Sequence, residues 1–98
     1  IILNIVGGLK INDPALDLAV AAAIISSYVN KSLDRRTVIL GEVGLGGEVR
    51  AVNKLEQRLA EAEKLGFTAA IIPPGEVKAK KIKLFKINNL SELQEIIK

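Results

Sequence analysis

The sequence predicts an α+β domain, a mixed sheet packed with two main helices and a short C-terminal helix. Patterns typical of strands and helices follow one another in the order strands, helix, strands, helix, strand, strand, helix. The 98 residues suit one domain, 1–98, with one core. Hydrophobic residues make up 49% of the chain and aromatic residues only 3%, so Ile, Leu, Val and Ala build that core.

The first part of the chain predicts a bent strand followed by a helix. Residues 1–6 are apolar, and an alternating pattern resumes after two glycines. Because the run starts abruptly and the chain has no Met, we expect a piece of a longer protein. Asp13 can accept a bond from an early helical N–H, and Pro14 suits the first helical position. The apolar spacing then predicts a helix over 14–29, buried on most sides.

The middle of the chain predicts a hairpin and a second helix. Residues 37–40 are typical of a strand, and a glycine-rich turn leads into a second short strand, 48–52. Asn53 suits the cap of a helix over 54–65, and Gly66 suits its end. The positions expected to face inward on this helix are Leu55, Leu59, Ala62 and Leu65.

The last third predicts two strands and a short helix. Residues 67–72 are typical of a buried strand ended by two prolines, and 82–87 alternate as another strand. Between them, 74–81 contains three lysines and is expected to be a mobile surface loop. Ser91 is the expected cap of a final helix that ends at Ile97.

The composition excludes several chemistries for the chain acting alone. Since it has neither His nor Cys, it cannot form a Ser-His-Asp triad, a Cys-His dyad, a disulfide or the common zinc sites. The glycines of 41–47 are not followed by the Gly-Lys-Ser or Gly-Lys-Thr of a phosphate loop, which favours a tight turn. Asp13 and Asp17 lie four residues apart, but a cap and the helix dipole explain both. No Ser stands at a strained turn beside a Lys.

The lack of Cys and of a signal-peptide-like leader favours a cytoplasmic protein, and its charge is compatible with nucleic acid. Fourteen basic and eleven acidic residues give a net charge of +3, which is compatible with DNA but does not require it. The longest apolar run, 18–25, is far shorter than the roughly 20 residues that cross a bilayer, so we expect no membrane contact.

Several motifs resemble Lon-type protease domains. Residues 41–52 are similar to the Lon hairpin that reads Thr-Gly-Glu-Ile-Thr-Leu-Arg-Gly-Val, and 55–73 to its following helix, glycine stop and strand ending in Ile-Pro. The resemblance covers roughly residues 4–74. It implies the Lon protease-like fold, also described as ribosomal protein S5 domain 2-like.

Within that superfamily the chain most resembles the C-terminal domain of the RadA (Sms) family of bacterial DNA-repair ATPases. Three motifs of that family recur in order and at matching separations, at 7–10, 13–20 and 41–50. The resemblance implies a homo-oligomer, a hexameric ring in the full-length protein, with DNA as partner during branch migration and RecA recombinase as a further partner. It places ATP, Mg and an N-terminal zinc finger in other parts of the parent protein, and no cofactor in this domain.

The resemblance also implies that the protease chemistry is lost. Ala15 stands where Lon has its nucleophilic Ser, and Glu56 stands where Lon has its catalytic Lys. Lys54 cannot substitute, because two positions along a helix turn the side chain by about 200°. We therefore expect no enzyme activity from this domain.

Four basic residues beside the former catalytic groove are the expected DNA contacts: Lys10, Arg50, Lys54 and Arg58. Lys31, Arg35, Arg36 and the lysines of 78–86 are expected to be solubilising surface. No aromatic residue interleaves the basic ones, so binding should follow the phosphate backbone and depend on salt. Three alternatives stay open: a purely structural oligomerisation domain, a Lon-type peptidase with an unrecognised nucleophile, and a regulatory subunit that binds peptides in the former groove.

Overall fold

A computed structural model describes residues 13–97. The expected opening strand, its glycine bend and Lys10 lie outside this range. The helices within it are α1 (Asp17–Val29), α2 (Leu55–Lys64) and α3 (Leu93–Ile96), with 3-10 turns at Pro14–Leu16 and Leu90–Glu92. The strands are β1 (Thr37–Ile39), β2 (Glu42–Val43), β3 (Val49–Arg50), β4 (Ala69–Ile72) and β5 (Lys83–Lys86).

The described strands form a three-stranded parallel sheet and a separate hairpin. In the sheet the order is β1-β4-β5, and β4 pairs in parallel with both neighbours. In the hairpin, β2 and β3 are antiparallel. The α+β content is confirmed. In place of the expected mixed sheet, the described strands form a parallel sheet and a separate antiparallel hairpin. Parallel neighbours need a crossover, and α2 lies between β1 and β4 in the chain.

Side chains alternate between the two faces of the parallel sheet, because successive strand residues point to opposite sides. Val38 and Ala70 pack with the buried side of α2, whereas Ile39 and Ile71 pack with α1 and α3. The central strand β4 is therefore covered on both faces, which explains its uninterrupted apolar run. The sheet separates two apolar clusters, one under each layer of helices.

α1 is buried along one face only, contrary to the expectation of burial on most sides. Leu18 and Ala22 are fully buried, whereas Ile24 is 60% exposed and Tyr28 is 90% exposed. Since α1 packs on a single face of the sheet, its outer side remains open within the part of the chain that the structure describes. The predicted helix start is confirmed, with a 3-10 turn before the α-helix.

The predicted bounds of α2 are nearly correct, but its expected cap is wrong. Lys54, in the left-handed conformation with a φ of 56°, precedes the helix, and no side-chain cap is formed there. The predicted inward positions Leu59 and Ala62 are buried, whereas Leu65 is 57% exposed. Gly66 ends the helix as predicted, with a φ of +96°.

The 3-10 turn Leu90–Glu92, which leads into α3, is capped by Asn89 rather than by the expected Ser91. The Asn89 side chain accepts a bond from the Ser91 N–H at 3.0 Å, and Glu92 accepts from the Asn89 N–H at 3.1 Å. This reciprocal arrangement is a capping box, in which the cap residue lies two positions before the predicted one.

The segment 74–81 is held against α2, although a mobile loop was expected. Glu56 accepts from the backbone N–H of Lys78 at 3.0 Å, and Glu63 accepts from that of Lys81 at 2.8 Å. Both carboxylates belong to α2, so the helix fixes this segment at two points. No helix within residues 13–97 has the length and apolar character needed to span a membrane.

Candidate functional site

The start of the first helix is bound directly to the chain that leaves β1. The Gly41 N–H donates to the Ala15 carbonyl at 3.0 Å, and the Leu18 N–H donates to the Gly41 carbonyl at 3.0 Å. A side chain at Gly41 would meet Leu18 Cδ2 at 3.0 Å and Val49 Cγ1 at 3.1 Å, so the absence of one allows this close approach. Ala15, which the resemblance matches to the Lon nucleophile, is therefore held within the fold and is buried.

Asp13 caps this helix start as predicted and pairs with Arg58. Its Oδ1 accepts from the Ala15 N–H at 2.9 Å, and its Oδ2 accepts from Arg58 Nη2 at 3.1 Å. The side chains of Asp13 and Arg58 are only 16% and 15% exposed. The backbone bond from Ala15, followed by the bond and charge of Arg58, lowers the pKa of the Asp13 carboxyl despite its partial burial.

The Arg58 guanidinium also binds the turn before α2. Its Nε donates to the Asn53 carbonyl at 3.1 Å, and its Nη2 donates to Asn53 Oδ1 at 3.1 Å. Arg58 Nη1 is buried and has no hydrogen-bond partner among the described residues. The side chain that was expected to face DNA is thus engaged inside the fold.

Two clefts that share Ala51 and Val52 adjoin this pair. The first, with a volume of about 430 Å³, is lined by Ala15 and by the Asp13–Arg58 pair. The second, of about 530 Å³, is lined by Glu56 and Lys54. Ala15 and Glu56, the two positions that the resemblance matches to the Lon dyad, therefore line neighbouring clefts rather than one.

Glu56, which the resemblance matches to the Lon lysine, has a structural contact. Its Oε2 accepts the backbone N–H of Lys78, as described above, and so binds the 74–81 segment. The methyl group of Ala15 cannot act as a nucleophile, and Glu56 lacks the amine that activates the nucleophile in a Ser-Lys dyad. Lys54 is exposed on the rim of the same cleft.

Arg50 lies on the hairpin and is paired with Glu48. Arg50 Nη2 lies 2.7 Å from Glu48 Oε2, and the two side chains are 54% and 47% exposed. Glu48 Oε1 also accepts the Gly46 N–H at 3.0 Å. The bond from Arg50 is the largest cause that lowers the pKa of Glu48, and the bond to Glu48 raises the pKa of Arg50. Arg50 thus stands on the surface with its charge partly compensated.

The glycine-rich stretch is a tight turn, as predicted. The Gly47 N–H donates to the Gly44 carbonyl at 3.0 Å, and Gly47 has a φ of +84°. The Glu48 carboxylate occupies the space that a side chain at Gly44 would need. At the base of the hairpin, Asp17 accepts the Val43 N–H at 3.2 Å, so this acidic residue has a structural partner too.

The structure describes three of the four expected DNA contacts, and these three differ in their exposure. Arg50 and Lys54 are exposed, Arg58 is engaged inward, and Lys10 lies outside the described residues. Asn53 was missed as a partner of Arg58, since only its capping propensity is visible in the sequence. The Asp13–Arg58 pair was also missed, because 45 positions separate its members and no local pattern signals it. Residues 13–97 contain no cluster of three or more acidic side chains arranged to hold a metal ion.

Comparison with known proteins defines the class of this domain. The family model described as subunit ChlI of Mg-chelatase matches residues 1–76. Among curated proteins, the chain is 44% identical over 90 residues to the DNA repair protein RadA of Synechocystis, covering 90% of this chain and 18% of that protein.

Two further DNA repair proteins named RadA show the same relationship. The chain is 43% identical to the protein of Streptococcus pneumoniae, and the match covers 94% of this chain and 22% of that protein. It is 39% identical to the protein of Aquifex aeolicus, and the match covers 99% of this chain and 22% of that protein. The chain belongs to the family of ChlI-like domains, and within it to the RadA family of DNA repair proteins. It spans about a fifth of the length of these relatives.

Proposed function

We propose that the chain is the non-catalytic, Lon-like C-terminal domain of a RadA-type DNA repair ATPase, and that it supports ring assembly and binds DNA during branch migration. The main support is the occupation of both dyad positions by groups that cannot perform the Lon reaction. Ala15 offers a buried methyl group, and Glu56 offers a carboxylate engaged with backbone. The relatives named RadA are DNA repair proteins, which favours DNA as the partner.

The exposed hairpin and the start of α2 are the proposed DNA surface. Arg50 and Lys54 are exposed there, and we propose Lys10 as a third contact. A phosphate can replace Glu48 as the partner of Arg50, because a guanidinium binds either anion through two parallel N–H groups. Arg58 is proposed as a positioning residue, since its bonds to Asp13 and Asn53 fix the turn from which Lys54 projects.

The remaining features of the parent protein are proposed from the family resemblance. They are an ATP and Mg site and a zinc finger outside this domain, a hexameric ring, RecA recombinase as a partner and a cytoplasmic location. The Lon protease-like fold, similar to ribosomal protein S5 domain 2, belongs to the same proposal. This domain itself would hold no cofactor.

Fluorescence anisotropy with single- and double-stranded DNA at several salt concentrations tests the DNA proposal. The double variant Lys10→Ala with Arg50→Ala should weaken binding and reduce the steepness of its salt dependence. The matched control, Lys31→Ala with Arg35→Ala, removes the same charge outside the proposed surface and should leave binding nearly unchanged. Equal binding by the first variant and the unmodified chain would contradict the proposed contacts.

A purely structural assembly domain is the second candidate, and the exposed apolar side of α1 favours it. Ile24 and Tyr28 are both more than half exposed there. Light scattering on the same samples separates the candidates, because assembly without DNA binding would support the structural one. The peptidase alternative is tested with a fluorophosphonate probe, which should label no serine of the unmodified chain.

A further inference from the structure

The positive charge of the chain is concentrated in one short segment. Residues 78–86 contain five lysines and no acidic residue. Subtracting these five charges from the net charge of +3 leaves −2 on the rest of the chain. The basic character of the protein therefore comes from nine consecutive residues, which are Lys78, Ala79, Lys80, Lys81, Ile82, Lys83, Leu84, Phe85 and Lys86.

The first half of this segment directs its lysines outward. Val77 and Ala79 pack against the apolar cluster under α2, whereas Lys78 and Lys80 are exposed. This alternation is typical of an extended chain with one buried side. We call residues 77–82 the strap, because they lie along α2 between β4 and β5.

Two glutamates of α2 fix the strap through its backbone, and Glu63 also attracts the charge of Lys80 without forming an ion pair. Glu56 binds the Lys78 N–H, and Glu63 Oε1 accepts the N–H groups of Lys80, Lys81 and Ile82 at 3.0, 2.8 and 3.1 Å. These carboxylates thus contact backbone amides. Within residues 13–97, no ion pair joins a strap lysine to an acidic side chain. The ammonium groups remain available on a backbone that is already ordered.

The strip of lysines continues along β5, which ends the sheet in the described part of the chain. Lys83 and Lys86 are exposed, and Lys83 Nζ lies 5.1 Å from the centroid of the Phe85 ring. Lysines on an edge strand also discourage pairing with the strands of other chains, and this explains the presence of Lys83 and Lys86 on β5. That explanation does not cover the strap lysines, because they lie outside any strand.

We propose that the strap and β5 form an extended contact for the phosphate backbone of DNA, which continues the surface at Lys54 along α2. This inference rests on the proposed DNA-binding function and adds a second group of contacts to it. The cleft that holds Lys54 is also lined by Val77, so the two surfaces adjoin. Lysines are depleted in protein–protein interfaces, and no large apolar side chain of the strap or β5 is among the exposed ones in the described chain. Nucleic acid is therefore favoured over an acidic protein.

The test compares two triple variants of the full chain that have the same net charge. Lys78→Gln, Lys80→Gln and Lys81→Gln together remove three strap charges and keep every backbone bond to Glu56 and Glu63. Lys31→Gln, Arg35→Gln and Arg36→Gln together form the control, before β1. Circular dichroism should show both folded like the unmodified chain, and DNA binding is measured by anisotropy from about 50 to 200 mM salt.

The strap variant should bind duplex DNA at least about tenfold more weakly at low salt, and its salt slope should fall by about 2.7, or 0.9 for each lost phosphate contact. The control should change less than about threefold, as expected for loss of diffuse charge alone. Equal losses in both variants would overturn the inference, because net charge would then explain them. Polyglutamate that competes as well as single-stranded DNA of equal charge would overturn it in favour of an acidic protein.

The same titration separates this inference from the proposed function. If the strap variant binds normally while Lys10→Ala with Arg50→Ala does not, the strap inference fails and the proposed function stands. If the reverse holds, the strap is the contact and the groove residues are not. If the unmodified chain binds no DNA at any salt concentration, both fail.

Discussion

Arg58 and Asp13 form an ion pair that joins the start of α2 to the start of the first helix. Nη2 of Arg58 lies 3.1 Å from Oδ2 of Asp13, and both side chains are largely withdrawn from solvent. The same guanidinium donates hydrogen bonds to the backbone carbonyl oxygen and to the side-chain Oδ1 of Asn53. One side chain therefore connects two helix starts beside the position where Lon-type proteases carry their nucleophile. The ion pair thus has a structural role at the site that we propose to be non-catalytic.

Removal of this pair should destabilise the protein. We expect Arg58→Leu to lower the free energy of unfolding by about 2 kcal/mol, because it leaves the Asp13 carboxylate partly buried with one partner fewer. Asp13→Ala removes the cap as well and should have a similar effect. Urea denaturation of the single and double variants gives the coupling energy, which we expect to be on the order of 1 kcal/mol.

The exposed Arg35 supplies the control for that experiment. Arg35→Leu should change the free energy of unfolding by no more than about 0.5 kcal/mol. Additive effects of the Arg58 and Asp13 substitutions would contradict the ion pair as a source of stability. Arg58→Lys should recover part of the stability, since an ammonium retains the charge but cannot bind Asp13 and Asn53 with the same fork of N–H groups.

Local signals in the sequence predicted much of the fold, whereas side chains that act over long separations could not be predicted. Asp13, Pro14 and Gly66 were correctly placed, because caps and stops depend on a few neighbouring residues. The contacts of Arg58 with Asp13 and of Glu63 with Lys81 cross 45 and 18 positions. No periodicity reports such a pair, so the sequence predicts Arg58 as a DNA contact and residues 74–81 as a mobile loop.

Asn89 and Ser91, the observed and the predicted cap before α3, give a direct comparison of structure and prediction. Asn89→Ala should destabilise the protein by about 1 kcal/mol, because the Ser91 N–H loses its acceptor and the capping box is broken. Ser91→Ala should have a smaller effect, since the bond that caps the helix comes from the Ser91 backbone. Thermal unfolding of both variants measures the difference. A larger effect at Ser91 would support Ser91 as the cap, as the sequence predicts.

Gly66 should be costly to replace for reasons of backbone conformation alone. Its φ of +96° is unfavourable for residues with a side chain, and a Cβ there would meet no atom within 4 Å. We therefore expect Gly66→Ala to lower the free energy of unfolding by about 1 kcal/mol. Gly66→Asn is the matched variant and should be milder, because Asn tolerates the left-handed region better. Urea denaturation measures both, and equal losses would point to a steric cause instead.

The bonds of Glu63 predict a local effect on the strap. Glu63→Ala should speed amide hydrogen exchange at Lys80, Lys81 and Ile82, because all three N–H groups lose their acceptor. Glu95→Ala, on α3, is the control and should leave exchange in the strap unchanged. Hydrogen exchange followed by NMR resolves these positions individually. Unchanged exchange in the Glu63 variant would mean that the strap is ordered by the packing of Val77 and Ala79 alone.

The dependence of stability on pH follows from the same carboxylates. Backbone N–H groups, that of Lys81 first, lower the pKa of Glu63 below its ordinary value of 4.5 despite some desolvation, and Asp13, Glu48 and Glu92 are lowered as well. A lowered pKa means that the folded chain binds fewer protons than the unfolded chain at acid pH, so stability rises with pH there.

This stabilisation should be fully present above the ordinary carboxyl pKa values of 3.8 and 4.5, and it should be lost as the pH falls through the lowered pKa values. Since the chain has no His, the melting temperature should stay nearly constant between about pH 6 and 8. Circular dichroism melts from pH 8 to 2.5 measure both ranges. Glu63→Gln should reduce the fall of the melting temperature at acid pH, because the amide keeps an acceptor oxygen but does not titrate. A steep change of the melting temperature near neutral pH would contradict the role of these carboxylates. So would a fall at acid pH that Glu63→Gln leaves unchanged.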